Sequence, residues 1–140
     1  MFLMVLKRVG IIVFMIVLSF LQQNITLAAD LSTCRDVRIN EGSVLEAQCP
    51  DNNNRLGTTS IQLNNYIANI DGRLIWRRNG NFRATSRSCE IGHNFPEMSC
   101  LSRRNNSKYV SSTIIVDERI FNINGILQYK TPPADQGTWQ

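Results

Sequence analysis

From residue 43 onward, apolar and polar positions trade places in short runs punctuated by turn residues. "GSVLEAQC" sends Val44, Glu46 and Gln48 to one face and Leu45, Ala47 and Cys49 to the other, the period-two pattern of a half-buried strand. "TSIQL" alternates in the same way, and "SSTIIV" is rich in the β-branched residues that strands favour. "DGRLIW" and "NGILQY" each start on a dipeptide, Asp-Gly or Asn-Gly, that tolerates the positive φ of a tight hairpin turn. "LNNYIANI" differs: Leu63, Tyr66, Ile67 and Ile70 recur at helical spacing. Over barely two turns, that spacing predicts a short helical or 3₁₀ turn linking a strand to the hairpin. It returns at Val116, Ile120 and Ile123, with Arg119 breaking it.

The chain repeats itself. "IQLNNYIANIDGRLIW" (61–76) and "IIVDERIFNINGILQY" (114–129) coincide at six of sixteen positions without a gap, and Trp76 corresponds to Tyr129. Each half runs cysteine, polar segment, cysteine, polar loop, strand, turn, strand. The first half spans about Ser32–Trp76 and the second about Ser88–Tyr129. Between them "RRNGNFRATSR" reads as a polar junction, and residues 131–140, with two prolines, read as a disordered tail. A unit of ~50 residues buries its apolar face poorly alone, so two copies are expected to share one core. The fold class is therefore all-β, one domain over residues 30–130.

Residues 1–29 are set apart from that domain. Lys7 and Arg8 precede thirteen uncharged residues, then polar "QQN" and small "TLAAD". This is the layout of a secretory signal cleaved after Ala28 or Ala29. The run is short of the ~20 residues of a membrane span, and an uncleaved anchor is the alternative. Without Lys7 and Arg8, thirteen basic residues face eleven acidic ones. The high pI of the whole chain then carries no argument for nucleic acid. No membrane association is expected after signal removal.

Four cysteines remain: Cys34, Cys49, Cys89 and Cys100. In an oxidising compartment they make two disulfides. Three pairings exist, and the repeat favours Cys34–Cys49 and Cys89–Cys100. Zinc fits poorly, because no CxxC pair is present and His93 is the sole histidine. No metal or other cofactor is expected. Nor is catalysis: the cysteines are tied up, His93 lacks an orienting partner, and Glu41, Glu46, Glu90 and Glu97 form no recognisable acid pair.

"GSVLEAQC", "SIQLNNYIANIDGRLIW" and the second copy "STIIVDERIFNINGILQY" closely resemble the cyanovirin-N homology domain, over about Thr33–Tyr129. The resemblance implies a pseudo-twofold lectin in which each half holds a triple-stranded sheet and a hairpin, with strand exchange between halves. It implies binding of mannose-rich oligosaccharides or glycoproteins at one or two shallow pockets, by a monomer or a domain-swapped dimer.

Carried over residue by residue, the first pocket uses Ser32-Thr33, Pro50-Asp51-Asn52-Asn53 and Asn122-Ile123-Asn124. Pro50 stands where the family often has an acid, with Asp51 as the possible substitute, and Asn124 replaces an Asp. The second pocket uses Asn69-Ile70-Asp71, Arg87-Ser88 and Ser102-Arg103, with Asn79 and Asn81 at its wall. Amide, carboxylate and guanidinium groups suit sugar hydroxyls. Each also has a plainer role. Asn69 and Asn122 can cap backbone groups, Asp71 can serve its turn, and Trp76 and Tyr129 can pack in the core. One sequon, Asn105-Asn106-Ser107, borders the second pocket, where a glycan would crowd it. Another, Asn24-Ile25-Thr26, lies in the signal segment. The competing reading is a secreted structural or protein-interaction domain that has lost sugar binding.

Overall fold

The computed structural model describes residues 28–93 and 95–131. The apolar stretch, the Asn24 sequon and the tail beyond Thr131 lie outside these.

Ten strands follow in chain order. They are β1 (Arg35–Asn40), β2 (Val44–Pro50), β3 (Leu56–Gln62), β4 (Ile67–Ile70), β5 (Arg73–Trp76), β6 (Ser86–Ile91), β7 (Glu97–Arg103), β8 (Tyr109–Ile115), β9 (Ile120–Ile123) and β10 (Ile126–Tyr129). They make two three-stranded antiparallel sheets, β1-β2-β3 and β6-β7-β8, and two hairpins, β4-β5 and β9-β10. The faces of β2 are as the alternation predicts: Leu45, Ala47 and Cys49 are buried. The helical spacing resolves into 3₁₀ turns at Leu63–Asn65 and Val116–Glu118. Ile67 and Ile70 belong to the strand that follows, where successive side chains part to opposite faces: Ile67 is buried and Ile70 exposed.

Each hairpin packs on the other half's sheet. The Leu74 N–H donates to Ser112 Oγ at 2.9 Å, and the Leu127 N–H donates to Thr59 Oγ1 at 3.0 Å. Both halves fill one core, with Leu31, Leu45, Leu63 and Ile67 meeting Phe82, Met98, Val116 and Ile120, all fully buried. Trp76 and Tyr129 pack against this core from its edge.

The junction is more ordered than its polar composition suggests. Phe82, at the start of a 3₁₀ turn, is fully buried, and Ser86-Arg87 already belong to β6. A Cβ on Gly80 would lie 2.2 Å from the Ile67 carbonyl oxygen, so the junction runs against β4 at a distance only glycine permits. At the other margin, Ala29 exchanges both backbone hydrogen bonds with Asn122, at 3.1 and 2.9 Å.

The disulfides are Cys34–Cys49 and Cys89–Cys100. They do not occupy equivalent places. Both first strands carry a bulge with a left-handed residue, Asp36 in β1 and Ser88 in β6. Superposing the bulges sets Cys34 against Ser86 and Cys49 against Ser102. There, Ser86 Oγ and Ser102 Oγ share a buried hydrogen bond of 2.9 Å. The second disulfide has moved inward along the sheet, to the places held by Val37 and Ala47 in the first half.

Candidate functional site

Two asparagines organise the two ends of the molecule alike. Asn69 Oδ1 accepts the Gly72 N–H at 2.8 Å, fixing the β4-β5 turn, and Asn122 Oδ1 accepts the Gly125 N–H at 2.8 Å, fixing the β9-β10 turn. Both turns need positive φ: Asp71 at 51° and Gly72 at 86°, Asn124 at 51° and Gly125 at 82°. The same amides then reach the opposite sheet. Asn69 Nδ2 donates to Thr85 Oγ1 at 2.9 Å and to the Arg103 carbonyl at 2.9 Å. Asn122 Nδ2 donates to Thr33 Oγ1 at 3.3 Å and to the Pro50 carbonyl at 3.0 Å. These amides hold the ends together, and their donors are committed to protein acceptors.

The third residue of each motif, Asp71 or Asn124, clamps a sheet turn. Asp71 Oδ1 accepts the Asn105 N–H at 2.9 Å. Asn124 Oδ1 accepts the Asn52 N–H at 2.8 Å. A neutral amide oxygen thus does the carboxylate's positioning work at the Asn124 end.

At the Asp71 end these elements enclose a concavity of about 350 Å³ lined by Asn69, Asp71, Thr85, Arg103, Arg104, Asn105 and Ser107. Arg104 Nε lies 3.7 Å from Asp71 Oδ1. Both partners are about half exposed, so the pair contributes little, within roughly 0–1 kcal/mol. These contacts use Oδ1, and no described residue engages Oδ2. The Arg103 backbone is fixed from both sides, since its N–H donates to the Thr85 carbonyl at 2.8 Å and its carbonyl accepts from Asn69. Its guanidinium pairs with no carboxylate among the described residues. The wall therefore presents one carboxylate oxygen and a planar donor fork, a set that can hold vicinal hydroxyls.

The Asn124 end is furnished differently. Asp51 accepts the N–H groups of Arg55 and Asn53 and pairs with the Arg55 guanidinium at 3.0 Å. The Arg55 N–H is the first cause holding its carboxyl below the ordinary value, with Asn53 and the guanidinium adding to it. That carboxylate is occupied with its own loop. Ser32 is likewise engaged, its hydroxyl and N–H both donating to Asp30 Oδ1. Thr33, Asn52, Asn122 and Asn124 do come together here.

Five residues expected at the second pocket lie elsewhere. Arg87 and Ser88 line a different concavity, of about 390 Å³, with Glu41, Gly42, Arg83 and Ser86. Ser102 is fully buried beneath the surface. Asn79 and Asn81 are taken up by the Leu63–Asn65 turn: their N–H groups donate to the Asn65 and Asn64 carbonyls at 2.7 and 2.9 Å. The reason is the displaced disulfide. Counting back one or two residues from Cys89 lands on Ser88 and Arg87 and stops short of Thr85, the true counterpart of Thr33. A signal for Thr85 was present: "TCRDV" (33–37) and "TSRSC" (85–89) align without a gap on Thr and Arg. Arg104 and Ser107 carried no comparable signal. Among the described residues, no three His, Cys, Asp or Glu side chains gather where they could hold a metal ion.

This architecture, two entwined repeats with an Asn-framed end apiece, defines a family. The chain matches the CVNH domain over residues 31–128 and belongs to that family. Among solved structures it is similar to the CVNH protein of Gibberella zeae, at 22% identity and TM-score 0.61, covering 70% of this chain and 94% of that one. It is similar to a MoCVNH3 variant in complex with (N-GlcNAc)4, at 19% identity and TM-score 0.66, covering 71% and 95%. It is also similar to microvirin in its mannobiose complex, at 22% identity and TM-score 0.63, covering 73% and 99%.

Proposed function

We propose that this protein is a secreted lectin that binds mannose-type oligosaccharides without covalent chemistry, chiefly at the Asp71 end. The reading is carried by one observation: a concavity held open by committed backbone and amide contacts, with Asp71 Oδ2 and the Arg103 guanidinium uncommitted beside it. Structural relatives bound to mannobiose and to (N-GlcNAc)4 support a saccharide as the ligand class. Two disulfides and the basic-then-apolar leader support the secretory route.

The competing reading, a secreted interaction or structural domain without sugar affinity, draws on the Asn124 end, where Asp51 is spent on its own loop. An NMR titration with mannobiose and with (GlcNAc)4 separates them. The amides of Gly72 and Asn105 should shift, and silence at both ends at millimolar sugar rejects the lectin reading. Arg103→Ala should weaken binding about tenfold or more, the scale of one lost charge-assisted hydrogen bond. Its backbone contacts survive the change, so the fold should be unaltered by circular dichroism.

A further inference from the structure

We propose that Asn105 is an N-glycan acceptor and that its glycan closes the Asp71-end pocket while leaving the other end open. The inference rests on the lectin reading and extends it to regulation.

Asn105-Asn106-Ser107 is the single Asn-x-Ser/Thr sequence from residue 28 onward. The structure places all of it in the β7-β8 turn, where the Ser107 N–H donates to the Arg104 carbonyl at 2.9 Å. The three residues are exposed. A chain glycosylated there before folding can still fold, because the modified amide stays outside the core. Asn105 and Ser107 also line the pocket. The Asn105 backbone is pinned to Asp71, its N–H donating to the carboxylate. A branched oligosaccharide on Asn105 Nδ2 is thereby tethered at the mouth of the site, where it displaces or blocks an incoming sugar.

The other end cannot be modified in this way. The structural counterpart of Asn105 is Asn52, whose N–H makes the same contact to Asn124. Yet "DNNNRL" has no Ser or Thr two residues after any of its asparagines. The two ends share a frame of turn and amide contacts, and of the two only the Asp71 end carries a glycan acceptor. Modification would silence the better-furnished end and with it any gain of multivalent attachment, on the order of 10²–10⁴.

The transfer balances with an ordinary donor, a lipid-pyrophosphate-linked oligosaccharide. The Asn105 Nδ2–C1 bond forms and the C1–O bond to the pyrophosphate breaks. The lipid pyrophosphate leaves with the bonding electrons, and an amide proton passes to the transferase.

The test is to make the full chain in two hosts, a eukaryotic secreting cell and a bacterial periplasm. Peptide mass reports on Asn105. A mannobiose titration follows the Gly72 amide at one end and Gly125 at the other. The secreted form should carry a glycan on Asn105 and respond at Gly72 roughly tenfold more weakly than the unglycosylated form. Gly125 should respond alike in both. Ser107→Ala should abolish the modification and Ser107→Thr retain it. An unmodified Asn105, or equal Gly72 affinity in the two forms, overturns the proposal and leaves the lectin reading standing. An unglycosylated form that responds at neither end overturns both.

Discussion

At the scale of single residues, the informative side chains are those with no freedom left. Asn122 is only 3% exposed and uses both ends of its amide, on Gly125, Thr33 and Pro50. Asn122→Ala leaves a half-buried turn N–H and two acceptors without their partner, and should destabilise by about 1–3 kcal/mol in urea unfolding. Leucine in its place should do no better, which distinguishes hydrogen bonding from packing. Asp51 gives a pH prediction. Its folded pKa is lowered, so its contribution is present above the ordinary value of 3.8 and is lost as pH falls through the lower folded value. The Asn53 and Arg55 amides should therefore exchange faster in acid before the rest of the chain unfolds. Arg55→Ala should shift that onset to higher pH. At this scale the sequence named Asn69 and Asn122 and their turns. It left open whether their amides face ligand or protein, because both uses require the same residue type.

At the scale of elements, the second sheet is stapled differently from the first. The end of the first sheet is closed covalently, directly beside Thr33 and Pro50, whereas the equivalent place in the second holds only the Ser86–Ser102 hydrogen bond. A neutral hydrogen bond contributes about 1 kcal/mol, against about 3 kcal/mol for closing a loop of 15 residues. Ser86 and Ser102 are direct register partners on adjacent strands. Ser86→Cys with Ser102→Cys, in a background with Cys89→Ala and Cys100→Ala, should form a new disulfide detectable by mass under non-reducing conditions. Failure to oxidise would contradict the register. Strand alternation was legible for β2 and β3, and β8 was legible from its β-branched residues. It was not legible for β1 and β6, whose bulges interrupt the period of two. The slide of Cys89 and Cys100 also hid where the second half begins, because the eye aligns on cysteines while the sheet aligns on its bulge.

At the scale of the molecule, neither half is a domain. Leu45 and Met98, from opposite sheets, lie in one buried cluster, and each hairpin donates to the other half's sheet. Unfolding should be a single cooperative transition, with calorimetric and van't Hoff enthalpies equal. Phe82→Ala in the junction should cost about 3–5 kcal/mol and lower that one transition, with no second transition appearing. Two transitions would mean the halves are autonomous. The two ends inherit this entwining, since each joins a hairpin from one half to a sheet from the other.

The sequence by itself determined the all-β class, the doubling, the paired cysteines and the two turns at Asp71-Gly72 and Asn124-Gly125. Each is set by local residue chemistry: alternation, positive φ and internal likeness. Only the tertiary structure decided which side chains share an end. That depends on strands crossing between halves and on a bulge that resets the register. It brought Thr85, Arg104 and Asn105 to Asp71, and left Ser88 and Ser102 outside the pocket they had seemed to line.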